Sequence, residues 1–358
     1  MIELMENDIT KELQTRVLAA IQSGTRLEIR GSGSKRFLGR TLCGEPLIVT
    51  HHAGIVNYQP KELVITARCG TRLSTIETAL AEQGQMLPFE PPHFGPGATI
   101  GGTIACGLSG PARPYAGSAR DLVLGTRVLT GLGQVLRFGG EVMKNVAGYD
   151  LSRLMAGAYG TLGLLLDVSL KVMPRPAAQR TLAQEQSQPE AIRLMNAWAG
   201  TALPITATCH DGNRLFVRLA GAETAVDQAA QSIGGETVRH QEALWRGQIR
   251  EQGHDFFAAG APLWRLSIPS AAPPLDLPGI QLIEWGGALR WYRGELQSQT
   301  IRKAASEAGG HATLFRGGDR SAEIFHPLAP PLMAVHRRLK QAFDPNGLFN
   351  PGRLFAEL

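Results

Sequence analysis

Three glycine-rich segments in the first half of the chain hold the residues best suited to chemistry. The first, Glu28–Arg36, reads EIRGSGSKR. A strand running into Gly31, Ser32, Gly33, Ser34 and Lys35 turns several backbone N–H groups toward one point, and such a nest binds phosphate. The two serines add hydroxyl donors and Lys35 adds a positive charge. The GxxxxGK spacing of a Walker loop is absent, and Arg36 stands where a dinucleotide fingerprint has its third glycine. Taken alone, the motif is equally a bare turn. The second segment centres on Thr99-Ile-Gly101-Gly102-Thr103, where paired glycines after a β-branched residue let backbone press against a flat or extended ligand. The third, Gly157-Ala-Tyr-Gly160-Thr-Leu-Gly163, leads straight into an apolar strand. It sets backbone amides against a ligand ring, or it simply stops a helix.

The second segment lies inside Pro91–Ala112, which carries no charged residue over 22 positions. Its four prolines and six glycines exclude a membrane-spanning helix. Buried irregular backbone is the expected state. Such backbone leaves N–H and C=O groups that need partners, and a polar ligand can supply them.

Composition bounds the rest. The chain has 358 residues, 43% hydrophobic and 19% charged, which excludes global disorder and allows about two domains. Of its 42 glycines, 16 fall between Pro91 and Gly163. The net charge is +5, all of it within residues 1–180. No block of like charges and no basic-aromatic module accompanies it, so an anionic ligand or acidic partner is favoured over nucleic acid. Cys43, Cys69, Cys106 and Cys209 form no CxxC pair, no disulfide framework and no metal spacing. Four buried, reduced thiols in a cytoplasmic protein are expected, and no metal. His51-His52 reads as a solvated turn. The N-terminus lacks the apolar stretch of a secretory signal, and any membrane contact would be peripheral or through partners.

These motifs need elements to position them. Residues 8–23 read as an amphipathic helix capped by Asp8 or Thr10 and stopped by Gly24. Strands are expected at Arg26–Arg30, Val49-Thr50 and Leu63–Thr66, with a helix at Thr75–Gln83 capped by Ser74. Leu122–Leu129 and Gln134–Arg137 form a hairpin, and Leu162–Met173 a long strand closed by Pro174-Arg175-Pro176. The polar run Ala177–Glu190 reads as a domain boundary. Beyond it come strands at Arg214–Leu219, Glu236–Arg239, Leu263–Ile268, Gln281–Glu284, Leu289–Tyr292 and Ala312–Phe315. Helices are expected at Glu223–Ile233, Gln299–Ala308 and Leu332–Phe343. The pattern is that of an antiparallel α+β sandwich. Trp245, Trp264, Trp285 and Trp291 serve its core or an interface.

Taken together, the three motifs resemble the FAD-binding domain of the vanillyl-alcohol-oxidase/PCMH-type flavoproteins. The match covers residues of about 25–176 and the tail Phe343-Asp-Pro-Asn-Gly-Leu-Phe-Asn-Pro-Gly352. Within that family, the short length and Lys144-Asn-Val-Ala-Gly-Tyr-Asp150 are similar to the FAD-binding subunits of glycolate oxidases. The resemblance implies an α+β fold. A PCMH-type FAD-binding domain of two α/β subdomains (1–176) is followed by an antiparallel α+β cap domain (177–330), and a C-terminal helix and tail (331–358) return to the first. It implies that Gly31, Ser32, Gly33, Ser34 and Lys35 hold the FAD pyrophosphate. Thr99, Gly101, Gly102, Thr103 and Ala105 line pyrophosphate and flavin, and Gly107 and Gly110 continue that wall. Gly160 and Leu165 touch the adenine or ribitol side, with Lys35, Arg36 and Arg113 as neutralisers of charge. The FAD is expected to be non-covalent, because the Gly31–Lys35 turn has no His or Cys, and Cys106 and His51-His52 lie elsewhere.

The resemblance also implies a heteromeric complex. A larger homologous flavoprotein subunit oxidises glycolate to glyoxylate, and an iron–sulfur subunit relays electrons from flavin. Relatives that oxidise 2-hydroxy acids carry Gly-Glu-His-Gly near the flavin; here the comparable region reads His311-Ala-Thr-Leu-Phe-Arg316-Gly-Gly, without the Glu-His pair. Arg316, as a carboxylate binder, and His326 stand as candidates for the chemical step. The alternatives are a stand-alone FAD oxidoreductase acting on another small 2-hydroxy acid or alcohol, and a non-catalytic assembly subunit.

Overall fold

The computed structural model describes residues 7–140, 150–258 and 260–358. Lys144–Asp150, except for Asp150, lies outside the described residues.

Among the described residues, the first half builds a five-stranded sheet and two two-stranded ones, one of them pairing Gln85–Met86 with Met173–Pro174. Leu27–Arg30 pairs in parallel with Glu45–Ile48. The helix Thr10–Ser23 buries Leu13, Val17 and Ala20 against Leu27 and Leu47. It ends at Gly24 in a left-handed cap, and the Asp8 carboxylate accepts the Thr10 N–H at 2.9 Å. A five-stranded antiparallel sheet runs in the order Ile55–Gln59, Val64–Arg68, Leu164–Lys171, Val123–Leu129, Val135–Gly139. The hairpin is therefore Val123–Leu129 with Val135–Gly139. The central strand, Leu164–Lys171, is buried along seven of its eight residues, which explains its continuous apolar run.

The second half is one eight-stranded antiparallel sheet. Its order is Glu236–Thr237, Ala178–Glu185, Arg214–Gly221, Ile205–His210, Gln281–Glu284, Leu289–Arg293, Leu263–Ser267, His311–Arg316. Strand periodicity sorts its faces. Leu215, Val217 and Leu219 pack under the helices Gln188–Ala199 and Glu223–Ile233. Phe216 and Arg218 point the other way, where Arg218 pairs with Glu90 of the first half at 2.8 Å. Trp285 Nε1 donates to Gly110 O at 3.0 Å across the same junction. The last helix, Pro330–Phe343, is followed by a tail that returns to the first half: Leu27 N–H donates to Leu348 O at 2.8 Å. The architecture is α+β, with helices packed on antiparallel sheets in both halves.

Several local expectations change. The polar run Ala177–Glu190 carries structure of its own. Ala178–Glu185 is a strand paired with Arg214–Gly221, because ladder hydrogen bonds come from backbone and need no apolar side chains. Only Thr181, Leu182 and Ala183 of it are buried. The helix at Leu73–Glu82 starts one residue before Ser74, with Arg72 extended ahead of it. Pro91–Ala112 is not irregular throughout: Ile100–Cys106 is a short helix capped by the Thr99 hydroxyl, which accepts the Gly102 N–H. His52 is wholly buried, Nε2 at 3.4 Å from Asp167 and Nδ1 at 3.8 Å from Asp8. Cys43 is exposed and Cys106 half-buried, so only Cys69 and Cys209 are the buried thiols foreseen. Trp245, Trp264, Trp285 and Trp291 are all core residues.

Candidate functional site

A cleft opens where the Leu27–Arg30 strand ends, between the Gly31–Lys35 turn, the Thr99–Cys106 segment, the Met155–Leu165 segment and the C-terminal tail. It brings together Gly31, Ser32, Gly33, Ser34, Lys35, Thr99, Gly101, Gly102, Ala105, Gly160 and Leu165. The N–H groups of Ser32, Gly33 and Lys35 donate to no protein acceptor among the described residues. Gly33 has φ +81°, and a Cβ there would meet nothing within 4 Å. The turn is thus an open cradle of free donors, the arrangement that an anion completes. Gly101 does something else. Its N–H is already given to Cys69 O at 2.8 Å, and a Cβ on it would lie 2.5 Å from Cys69 Cβ. Glycine there lets the short helix seat against the neighbouring strand.

The electrostatics suit a polyanion. Arg30, Lys35, Arg36 and Arg353 line the cleft against one carboxylate, Glu28. Glu28 takes bidentate pairs from Arg30 (3.1 and 2.9 Å) and Arg36 (3.0 and 3.2 Å). Burial alone would raise its pKa; the two guanidinium groups outweigh burial and hold it below the usual carboxylate range. Lys35 Nζ donates to His93 O at 3.1 Å, and burial lowers its pKa. Arg353 donates to the carbonyls of Arg36 and Arg40 at 3.0 and 2.8 Å. That holds the turn closed from the C-terminal end.

Four expected contributors stand outside the cleft. Thr103 points into the core from the short helix and is wholly buried. Gly107 caps that helix and packs on Gly157. Gly110 is pinned between Phe89 O and Trp285 Nε1. The Arg113 guanidinium stacks on Trp285 at 4.5 Å and neutralises nothing in the cleft. Arg316 lies over Phe37 at 4.8 Å, away from the cleft, and His326 lines a separate groove. Conversely, Cys106 does line the cleft, contrary to expectation. Burial raises its pKa against the pull of Lys35 and Arg353, so the thiol stays protonated. Glu28, Arg30, Tyr159, Asn350 and Arg353 are lining residues that carried no assigned role. For Asn350 the signal was the Phe343–Gly352 tail, which stops one residue short of Arg353.

A family model described as an FAD binding domain matches residues 8–139, and one described as the C-terminal domain of FAD linked oxidases matches 300–354. Glycolate oxidase subunit GlcE of Escherichia coli is 54% identical over 355 residues, 99% of this chain and 100% of that one. The chain belongs to the GlcE family. It is a member of the FAD-linked oxidoreductases, and its cofactor is FAD. Glycolate oxidase subunit GlcD of Bacillus subtilis is 30% identical over 208 residues, 57% of this chain and 44% of that one. Among solved structures, the 4-ethylphenol oxidase of Gulosibacter chungangensis superposes with TM-score 0.70 at 15% identity, covering 98% of this chain and 88% of that one. That likeness concerns the fold. The GlcE-family cleft, with its free amides and cationic lining, fits a dinucleotide diphosphate. Among the described residues, no helix is long and apolar enough to cross a membrane.

Proposed function

We propose that this chain is the FAD-binding subunit of a multi-subunit oxidase that converts glycolate to glyoxylate and passes the electrons through flavin to an iron–sulfur partner subunit. A larger flavoprotein subunit homologous to this chain completes the assembly, and the small 2-hydroxy acid is handled at the level of the complex. The observation that carries this reading is the likeness to GlcE along 100% of that subunit, set beside a cleft with unengaged amides. When bound, FAD supplies two-electron redox chemistry.

The chain's own part is to hold and shield that cofactor. The amides of Ser32, Gly33 and Lys35 and the hydroxyls of Ser32 and Ser34 hold the pyrophosphate. Lys35 and Arg353 neutralise its charge, with Arg30 and Arg36 kept in place by Glu28. Thr99, Gly101, Gly102 and Ala105 form one wall; Gly160 and Leu165 form the adenine or ribitol side. The FAD is held without a covalent bond, since the turn carries neither His nor Cys and the Cys106 thiol is protonated. Residues 1–176 make the FAD-binding unit, 177–330 the cap, and 331–358 the returning tail.

Purification from the native source tests this. The chain is expected to come away yellow, together with an iron–sulfur protein and a larger flavoprotein, and to release all of its FAD on acid precipitation. A lone chain that turns over glycolate by itself overturns the assembly, and colour retained in the precipitate overturns the non-covalent attachment.

A further inference from the structure

Beside the FAD cleft, and sharing Tyr159 with it, lies a second groove of about 460 Å³. It runs between the His311–Arg316 strand, the Phe325–Leu328 segment, His336 of the last helix and Phe355 of the tail. The volume falls in the range of sites for ligands of drug-like size, far more than a two-carbon acid fills. Aromatic rings form much of the wall: Tyr159 and Phe325 meet edge-on at 5.3 Å, and Phe325 and Phe355 at 6.1 Å. Among the described residues, no carboxylate lines it.

One cation does. Arg265 reaches the groove from the Leu263–Ser267 strand, and among the described residues its guanidinium has no hydrogen-bond or ion-pair partner. It stacks on Trp285 at 5.0 Å. Burial brings its pKa down to about 10. The nearest balancing group, Glu284, stands beyond ion-pair distance; burial lifts its pKa to about 7, and Trp291 Nε1 occupies one of its oxygens at 2.7 Å. Arg265 is half-buried, and its guanidinium nitrogens open onto the groove, so a carboxylate placed there meets donors that no described protein group already holds. His311 and His326 lie beside it, ring centroids 6.4 Å apart. Burial holds both below the usual histidine range, so both are neutral at pH 7 and add no competing charge. His326 Nδ1 is buried without a hydrogen-bond partner.

We propose that this groove binds a monocarboxylate with an apolar body larger than a two-carbon acid, its carboxylate on Arg265 and its apolar part against Phe325 and Phe355. As a substrate site beside a flavin, the groove rests on the reading of the neighbouring cleft; as a binding site it does not.

Titration of the purified chain, with and without FAD, tests the proposal through tryptophan fluorescence, since Trp285 stacks on Arg265. The probes are acetate, glycolate, phenylacetate and the uncharged 2-phenylethanol. Phenylacetate is expected to bind about tenfold or more tighter than acetate, glycolate or the alcohol. Arg265→Met is expected to abolish that preference over the alcohol, and Arg265→Lys to keep part of it. Phe325→Ala, which leaves the cation in place, is expected to weaken phenylacetate and spare acetate. Equal affinity for phenylacetate and glycolate, equal affinity for the alcohol, or an Arg265→Met chain that keeps its affinity overturns the proposal. FAD content is read separately from flavin absorbance. A chain that binds phenylacetate but takes up no FAD therefore defeats the cofactor assignment and leaves the groove.

Discussion

Asn350 ties the C-terminal tail to Tyr159 on the wall shared by the cleft and the groove: its Nδ2 donates to Tyr159 O at 2.6 Å. Its Oδ1 accepts the Ile29 N–H at 2.8 Å, so one amide spans both sides of the cleft mouth. Tyr159 is held at φ +54°, a left-handed conformation that a tyrosine adopts only under constraint from its surroundings. Asn350→Asp keeps the acceptor and loses the donor. The expected result is a loss of about 1–3 kcal/mol in stability, because a buried carbonyl goes unpaired and a carboxylate replaces the donor. FAD affinity is expected to fall with it. Urea unfolding and FAD titration of the variant check both.

Glu28 links cleft electrostatics to pH. Its pKa is depressed in the folded chain, so the stability it contributes is present above the unfolded value of about 4.3 and is lost as pH falls toward the folded value. Wild type is therefore expected to lose melting temperature more steeply than Glu28→Gln between about pH 5 and pH 3. Parallel curves for the two proteins would show that the Arg30 and Arg36 pairs contribute nothing.

Lys340 is a buried lysine with three acceptors: Thr161 O at 2.8 Å, Asp344 Oδ2 at 2.8 Å and Phe349 O at 2.9 Å. It fastens the last helix and the tail to the loop that precedes the central strand. Lys340→Met leaves Asp344 as an uncompensated buried charge, and a loss of about 3–5 kcal/mol is expected. Chemical denaturation measures it. A loss under about 1 kcal/mol would mean that the tail is anchored elsewhere.

Two glycines of the cleft are expected to respond differently to alanine. At Gly101 a Cβ meets Cys69 Cβ at 2.5 Å and Cys69 O at 2.7 Å, with backbone that cannot yield. Gly101→Ala is expected to prevent recovery of folded, yellow protein. At Gly33 the space is open and only the φ of +81° resists, so Gly33→Ala costs about 1–2 kcal/mol and weakens FAD without preventing folding. Yield and flavin absorbance of the two variants separate crowding from backbone strain.

Some of this was readable along the chain because it is local. The run EIRGSGSKR forms its donor cradle within nine residues, and the Glu223–Ile233 helix follows from its own spacing. The full-length likeness to GlcE extends the same logic, since shared residue order implies a shared fold. Other features were hidden in the order of residues. Ala178–Glu185 looks polar because only its middle is covered, and its place in the sheet comes from backbone pairing with Arg214–Gly221. His52 looks like a surface turn and is buried because Asp167, 115 positions later, folds back beside it.

What the amino-acid order alone narrowed is the kind of ligand: three glycine-rich motifs with excess positive charge around them point together to an anion, while the glycine-serine-lysine run by itself reads equally as a bare turn. Which further residues join that cleft, and which expected ones turn away from it, was decided in three dimensions. Asn350 reaches Ile29 across 321 positions, Arg353 reaches Arg36 across 317, Cys106 turns onto the cleft wall, and Arg113 turns away onto Trp285. Backbone preferences act over a few residues, whereas these contacts exist only once both sheets have closed and the tail has crossed back between them.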